Sequence, residues 1–369
     1  MPNVKSASVR DIHIDFLKGL AMAMIVLLHS VQMVDGLPEI IRKPILLGQI
    51  GVQLFFFCSG YLVMKSYCRN GKKAGLRDSI VFLRKKYINL AVPFVVFVVI
   101  YLTINYVYTV LQIDLPYKNN TDILSIILNI FLLHGFFPFC LNNVVPGGWY
   151  IGTLLILFTI TPFIIRFTHI KKSGHMMIFS AVTALISVIL SVILNHLFGV
   201  DTDNGSFFCF SFLNQSPAYF VGMSSALDER EIKGFPKSCI FRDGALLLMI
   251  VALFYFEFSF SYAVIPFLSA LLFADIYRIL SAVPVLVSKT KWICTVGQNT
   301  FAIYLSHFLV VWYIPLLIEK LFHINGIVLW LIILCLCVMM CMLAPIYSVP
   351  LNKLSKRIEK ATLNLKRDV

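Results

Sequence analysis

Apolar runs of about twenty residues recur along this chain, starting near Ile14, Gly48, Ile88, Trp149, Met176, Phe207, Gly244, Tyr262, Val296 and Gly326. Each is long enough to cross ~30 Å of hydrocarbon as a helix. No other feature limits the fold as tightly. Inside lipid every backbone N–H and C=O must be satisfied within its own segment, so separate runs of this kind fold as helices. Hydrophobic residues make up 59% of the 369, charged residues 13%, and mean hydropathy is +0.87, which excludes an ordinary soluble globule. The sequence predicts an all-α, polytopic integral membrane protein with about ten transmembrane helices.

An eleventh, shorter run covers Ile123 to Phe139. If it does not span, ten crossings put both termini on one side, and the basic clusters collect there: Lys5 and Arg10, Lys65 to Lys86, Arg166 to Lys172, Arg230 to Arg242, Arg278 to Lys291, and the tail from Lys353 to Arg367. Only Arg42, Lys43, Lys118 and Lys320 face the other way. Positive charge marks the cytoplasmic side, so both termini are expected there, and Ile123 to Phe139 is expected to lie at the outer surface or to insert partly. Counted by side, the net charge of +13 reads as a topology signal, and no nucleic-acid partner is expected. The first run is too long for the apolar core of a cleaved leader and lacks a cleavage pattern, so it is expected to be retained. Residues 1–350 read as one membrane domain and 351–369 as a basic cytoplasmic tail.

His29 lies inside the first run, eleven positions after Lys18. Eleven helical residues return to within about 20° of the starting face and rise ~16 Å, so the two groups form a polar stripe. An ionisable side chain at that depth is by default a functional candidate, against the alternative of a neutral histidine bonded between helices. Asp15 sits one turn before Lys18, either orienting it or pairing with a lysine that reaches back to the interface. His307 is a second mid-span imidazole, read either as a wall of the same cavity or as an interhelical hydrogen-bond partner. Trp149 opens the fifth crossing as an interfacial anchor, with sugar stacking as the alternative. The cysteines have no metal-ligand spacing, and no histidine pair has it either, so no metal is expected. Only Cys140 and Cys209 fall near the outer face, where a disulfide can persist.

HIDFLKGLAMAMIVLLHS (His13 to Ser30) and GVQLFFFCSGYLV (Gly51 to Val63) resemble the opening of the membrane-bound acyltransferase-3 family, which carries a basic residue, ten residues and a histidine, then an aromatic run ending in Ser-Gly-aromatic. FLRKKYINLAVPF, GGWYIGTLLILFTITPFI, AYFVGM and GQNTFAIYLSH match further segments in order, as far as His307. The resemblance implies transfer of an acyl group, usually acetyl from acetyl coenzyme A as donor substrate, to a hydroxyl of an envelope glycan or its lipid-linked precursor such as O-antigen, in a bacterial cytoplasmic (inner) membrane. His29 is then the catalytic base, or an acylated relay. Lys18 contacts the donor, and Ser59 and Gly60 support the site as hydrogen-bond donor and close-packing position, with Tyr61 as a wall or a hydroxyl donor. The family often has Arg-x-x-Arg before the proline of the third span; here the register gives Lys86 and Asn89, with Arg84 and Lys85 as neighbouring substitutes. Lysine keeps the charge without the planar fork that grips phosphate. A secondary transporter of a small anion and a nonenzymatic sensor or scaffold are the competing classes; neither requires an acyl product.

Overall fold

The computed structural model describes residues 10–69, 76–114, 122–168, 172–228 and 237–364, so the expectations for Lys5, Lys72, Lys73, Lys118, Lys171, Arg230, Lys233, Lys366 and Arg367 lie outside the described residues. It is all-helical. α1 (Ile12–Ser30) is followed by a short α2 (Glu39–Leu46) and, after one 3-10 turn, α3 (Gly51–Arg69). α4 (Leu76–Val110) leads to α5 (Ile123–Ile130), two 3-10 turns and α6 (Gly148–Thr168). α7 (Ser173–Phe198), α8 (Phe207–Phe210), α9 (Phe212–Ala226), α10 (Lys237–Phe256) and α11 (Ser261–Ala282) follow. The last third holds α12 (Pro284–Lys289), α13 (Lys291–Gln298), α14 (Thr300–Phe308), a π-helical turn (Leu309–Tyr313), α15 (Ile314–Phe322) and the long α16 (Gly326–Asn364).

Among the described residues eight helical stretches are long and apolar enough to cross a membrane. With α9 and α10 they account for the ten apolar runs, and the chain is a polytopic membrane protein. α9 has only 15 residues, about 22 Å of helix, and is enclosed on most of its surface by its neighbours. The Ile123 run does not form a spanning helix. α5 is eight residues long, and the fully buried Leu132 adopts φ +58°, a left-handed conformation that stops the helix and reverses the chain. The segment closes on a buried polar knot. Asn143 Nδ2 donates to Ser125 Oγ at 2.7 Å, and His134 Nε2 bonds the Gly148 carbonyl at 2.8 Å. Burial holds the His134 imidazole down at about 4, so it stays neutral.

Two glycine crossings set the packing. A methyl group at Gly60 of α3 would overlap the Tyr219 carbonyl of α9, and one at Gly222 of α9 would overlap the Phe57 carbonyl of α3. α1 and α13 meet the same way, Gly19 against the Ile293 carbonyl and Gly297 against the Asp15 carbonyl. Small residues let helix backbones touch where lipid supplies no hydrophobic drive.

The structure also changes three sequence expectations. α1 ends at Ser30, because the chain turns through Gly36 (φ +74°) and Pro38 into α2, so His29, expected at depth inside the first run, occupies the last helical turn. The segment after residue 350 is no separate tail over its described part, since α16 continues unbroken through Pro345 and Pro350 to Asn364. Cys140 and Cys209 are both free thiols; the Cys140 Sγ–H donates to the His134 and Phe137 carbonyls, and burial, with Asp122 nearby, pushes its pKa up to about 11.

A larger side chain at these crossings has nowhere to go, since the obstacle is backbone. Gly222→Leu is expected to cost about 3 kcal/mol or more, read as a lowered midpoint in thermal unfolding followed by size-exclusion chromatography, while Gly244→Ala, with open space around it, leaves the midpoint unchanged.

Candidate active site

The start of α1 is pinned before its functional residues begin. Asp11 caps the helix, accepting the His13 and Ile14 N–H groups through Oδ1 at 3.2 and 3.4 Å. Its Oδ2 accepts Lys65 Nζ at 2.7 Å, the Tyr61 hydroxyl at 3.0 Å and the Tyr277 hydroxyl at 3.3 Å, tying α1 to α3 and α11. Burial works to raise the Asp11 carboxyl, but Lys65 and Tyr61 prevail and hold it below the usual carboxylate value. Tyr61 therefore belongs to this anchor rather than to a cavity wall. Asp15 bonds Arg10 at 2.5 Å and Gln298 Nε2 at 3.2 Å. Its oxygens are thus engaged with α13 and the chain preceding α1, and Lys18 feels it only as a neighbouring charge.

Lys18 opens into a cavity of 480 Å³ that also holds Ser59, Lys86, Asn89 and, from α16, Asn352, Ser355 and Lys356. Lys86 Nζ lies 4.7 Å from the Phe158 ring centroid, a cation–π contact. Three ammonium groups share this lining, and no carboxylate does among the described residues. Such a set costs energy by mutual repulsion unless an anion enters. Arg84 and Lys85, the proposed substitutes for a missing arginine, are turned away: Arg84 bonds the Thr362 carbonyl at 3.3 Å and Lys85 approaches Glu359 at 3.6 Å. They fasten α4 to the end of α16.

His29 lies in a different cavity, of 460 Å³, toward the other end of α1. Tyr304 lines both cavities; its hydroxyl donates to the Gly147 carbonyl at 2.8 Å, and its ring packs against Tyr150 and Phe55 at 5.1 and 6.3 Å. Gly147 has φ +72°, and a side chain there would meet the Phe308 ring, so the Gly-Gly-Trp-Tyr motif lets the start of α6 approach Tyr304. Trp149 is corrected from interfacial anchor to cavity wall: it is 8% exposed and stacks on Phe210 at 4.2 Å.

The protonated nitrogen of His29 follows from its neighbours. His29 Nδ1 is 2.7 Å from Gln32 Oε1, and the Trp312 indole N–H, which can only donate, reaches the same oxygen at 3.1 Å. That donor fixes which end of the Gln32 amide faces the pair, so Nδ1 of a neutral His29 must carry the hydrogen and Nε2 is left as the basic nitrogen. The π-helical turn after α14 advances Trp312 into this position. His307 is fully buried, with its ring centroid 5.3 Å from that of His29 and its Nδ1–H donating to the Tyr304 carbonyl at 2.5 Å. Its Nε2 has no hydrogen-bond partner among the described residues.

Gln32, Tyr304, Trp312 and Lys356 were not singled out in the sequence. Lys356 looked like part of a topology signal, and Gln32 carries no titratable group to mark it out. Among the described residues no three His, Cys, Asp or Glu side chains come together to hold a metal.

Removing the Gln32 acceptor frees the imidazole to change tautomer. In Gln32→Leu, nitrogen NMR of histidine-labelled protein is expected to show His29 shifting from the Nδ1–H to the Nε2–H form; an unchanged spectrum refutes the assignment of the hydrogen.

Residues 11–348 match the acyltransferase domain that defines one membrane family, Lys18, His29 and Tyr304 included. No curated protein and no solved structure matches the chain. Over that length the chain belongs to the acyltransferase-3 family of membrane acyltransferases.

Proposed function

We propose that this membrane acyltransferase moves an acetyl group from acetyl coenzyme A to a sugar hydroxyl of a surface polysaccharide or its lipid-linked precursor, in a bacterial cytoplasmic membrane with both termini cytoplasmic. One observation carries the reading: a cavity lined by three lysines and no described carboxylate abuts, through Tyr304, a second cavity containing an oriented histidine. Coenzyme A is polyanionic at its nucleotide end and carries its thioester on a long arm. Lys18, Lys86 and Lys356 suit the phosphates, each as a compact point charge, and Asn89 and Ser59 add hydrogen-bonding groups along the same lining. The ends of α1, α4 and α16 that hold these lysines carry the basic clusters, as a cytoplasmic face requires.

In the second cavity His29 acts as general base. Nε2 removes the hydroxyl proton as the sugar oxygen attacks the thioester carbonyl, and the tetrahedral intermediate collapses by breaking the carbon–sulfur bond. The imidazolium then returns its proton to the departing thiolate, so the products are the acetyl ester and free coenzyme A. Gln32 holds the imidazole through Nδ1–H throughout, and His307, behind the ring, fixes its position. Tyr304 must move aside for the thioester to meet Nε2.

His29→Ala is expected to lower kcat by about 10²- to 10⁴-fold at unchanged membrane abundance. The check is ester content of intact envelope glycan by mass and proton spectra; full ester content in that strain ends the assignment, and no ester in the parent favours a transporter.

Lys356→Ala and Lys86→Ala are each expected to raise KM for acetyl coenzyme A roughly tenfold with a smaller change in kcat, as loss of a ground-state phosphate contact should. Steady-state assays of thiol release separate the two parameters.

A further inference from the structure

The His29 cavity differs chemically from its neighbour. Its described lining has no lysine or arginine, one carboxylate (Glu257), two indoles and six side-chain amides. Two of these amide atoms are buried without a partner among the described residues: Gln53 Oε1, in a residue 8% exposed, and Gln49 Nε2. The other end of Gln53 is committed, since its Nε2 donates to Gln215 Oε1 at 3.2 Å, and Gln215 in turn donates to the Cys209 carbonyl at 2.7 Å. This chain of hydrogen bonds holds Gln53 with its oxygen unused. Gln49 and Gln53 are one helical turn apart, so a spare donor and a spare acceptor line the same wall.

A buried, unpaired amide group is costly unless a ligand completes it. A hydroxyl both accepts and donates, and so satisfies Gln49 and Gln53 together. An anion satisfies only the donor, faces the Gln53 oxygen as like charge, and finds the carboxylate of Glu257 but no cation among the described lining residues. At 460 Å³ the cavity has the size of an ordinary small-molecule site, and Trp149 and Trp312 offer the flat apolar faces on which sugar rings pack.

We propose that the His29 cavity receives an uncharged sugar ring of the acceptor and selects against uronates and other anionic sugars, with Gln49 and Gln53 as the residues that read its hydroxyls. The inference rests on the transferase reading above and specifies its acceptor: the residue modified is neutral even where the polymer carrying it is charged elsewhere.

The test uses the full chain in lipid nanodiscs and saturation-transfer NMR with methyl glucoside and methyl galactoside, each paired with its uronide. In at least one pair the neutral glycoside is expected to bind about tenfold more tightly than the uronide. Gln53→Leu should weaken neutral binding about tenfold. Gln49→Lys, at a half-buried position, should raise uronide binding to at least that of the neutral partner. Equal or tighter uronide binding to the parent protein, no binding by any of the four glycosides, or neutral binding unaltered in Gln53→Leu overturns the inference. Thiol release from acetyl coenzyme A is followed on the same preparations. Turnover without the charge preference removes this inference and leaves the transferase; the preference without turnover removes the transferase and leaves a sugar site.

Discussion

The contact on which the site depends is backbone against backbone, where α1 crosses α13 at Gly19 and Gly297. No side chain fits between the helices at that crossing, so α13 is drawn tightly onto the first turns of α1. After Asn299 the chain continues as α14 beside α1, and the spacing set at Gly297 brings His307 and Trp312 to the two sides of His29. Asp11 supports the same end, holding α1 to α3 and α11 through one carboxylate. The imidazole is thus held by contacts made ten or more residues away along its own helix. Its own hydrogen bond to Gln32 fixes which nitrogen carries the proton, while the helix crossings fix where the ring stands.

Charge is sorted along this frame. The cavity near the start of α1 gathers ammonium groups from α1, α4 and α16, and the cavity near its end gathers amides and indoles. The donor and acceptor proposed above, one with several phosphates and the other rich in hydroxyls, would ask for these two environments, and keeping them apart would prevent each from filling the other's site. Long helices make the separation possible. α16, with 39 residues, extends far enough past the apolar part of the bundle to bring Lys356 back over the opening of the first cavity.

Much of the architecture was legible because lipid leaves few options: the ten long apolar runs became helices, and the eleven-residue interval placed Lys18 and His29 along one helix. The interval did not reveal that the two residues open into different cavities, because a partition made by Tyr304 from another helix leaves no periodic trace. Trp149 looked interfacial because an aromatic residue at the start of a span usually is, yet the Ile123–Cys140 segment folds over that end of the bundle and Trp149 is buried against Phe210. Asp15 was expected to orient or pair with Lys18, its neighbour by one turn, but the Arg10 guanidinium and an amide from α13 engage its oxygens instead. The amides of the second cavity were present in the apolar runs and met the same criterion that singled out His29, a polar group at depth. They went unweighed because an amide does not titrate. The basic residues after position 350 read as a tail since charge dominates composition there, although helix periodicity continued through them.

Tyr304 has a significance for the cell as well as for the reaction. The two cavities extend from opposite ends of α1, and a single phenol held on the Gly147 carbonyl is the wall they share. Joined permanently, they would form a wetted conduit through the bundle, and protons would run down it and discharge the gradient the membrane maintains. On the proposed function, a protein that passes an acyl group from one cavity to the other has to open without becoming a pore, and the narrowest place at which to solve that problem is one aromatic ring.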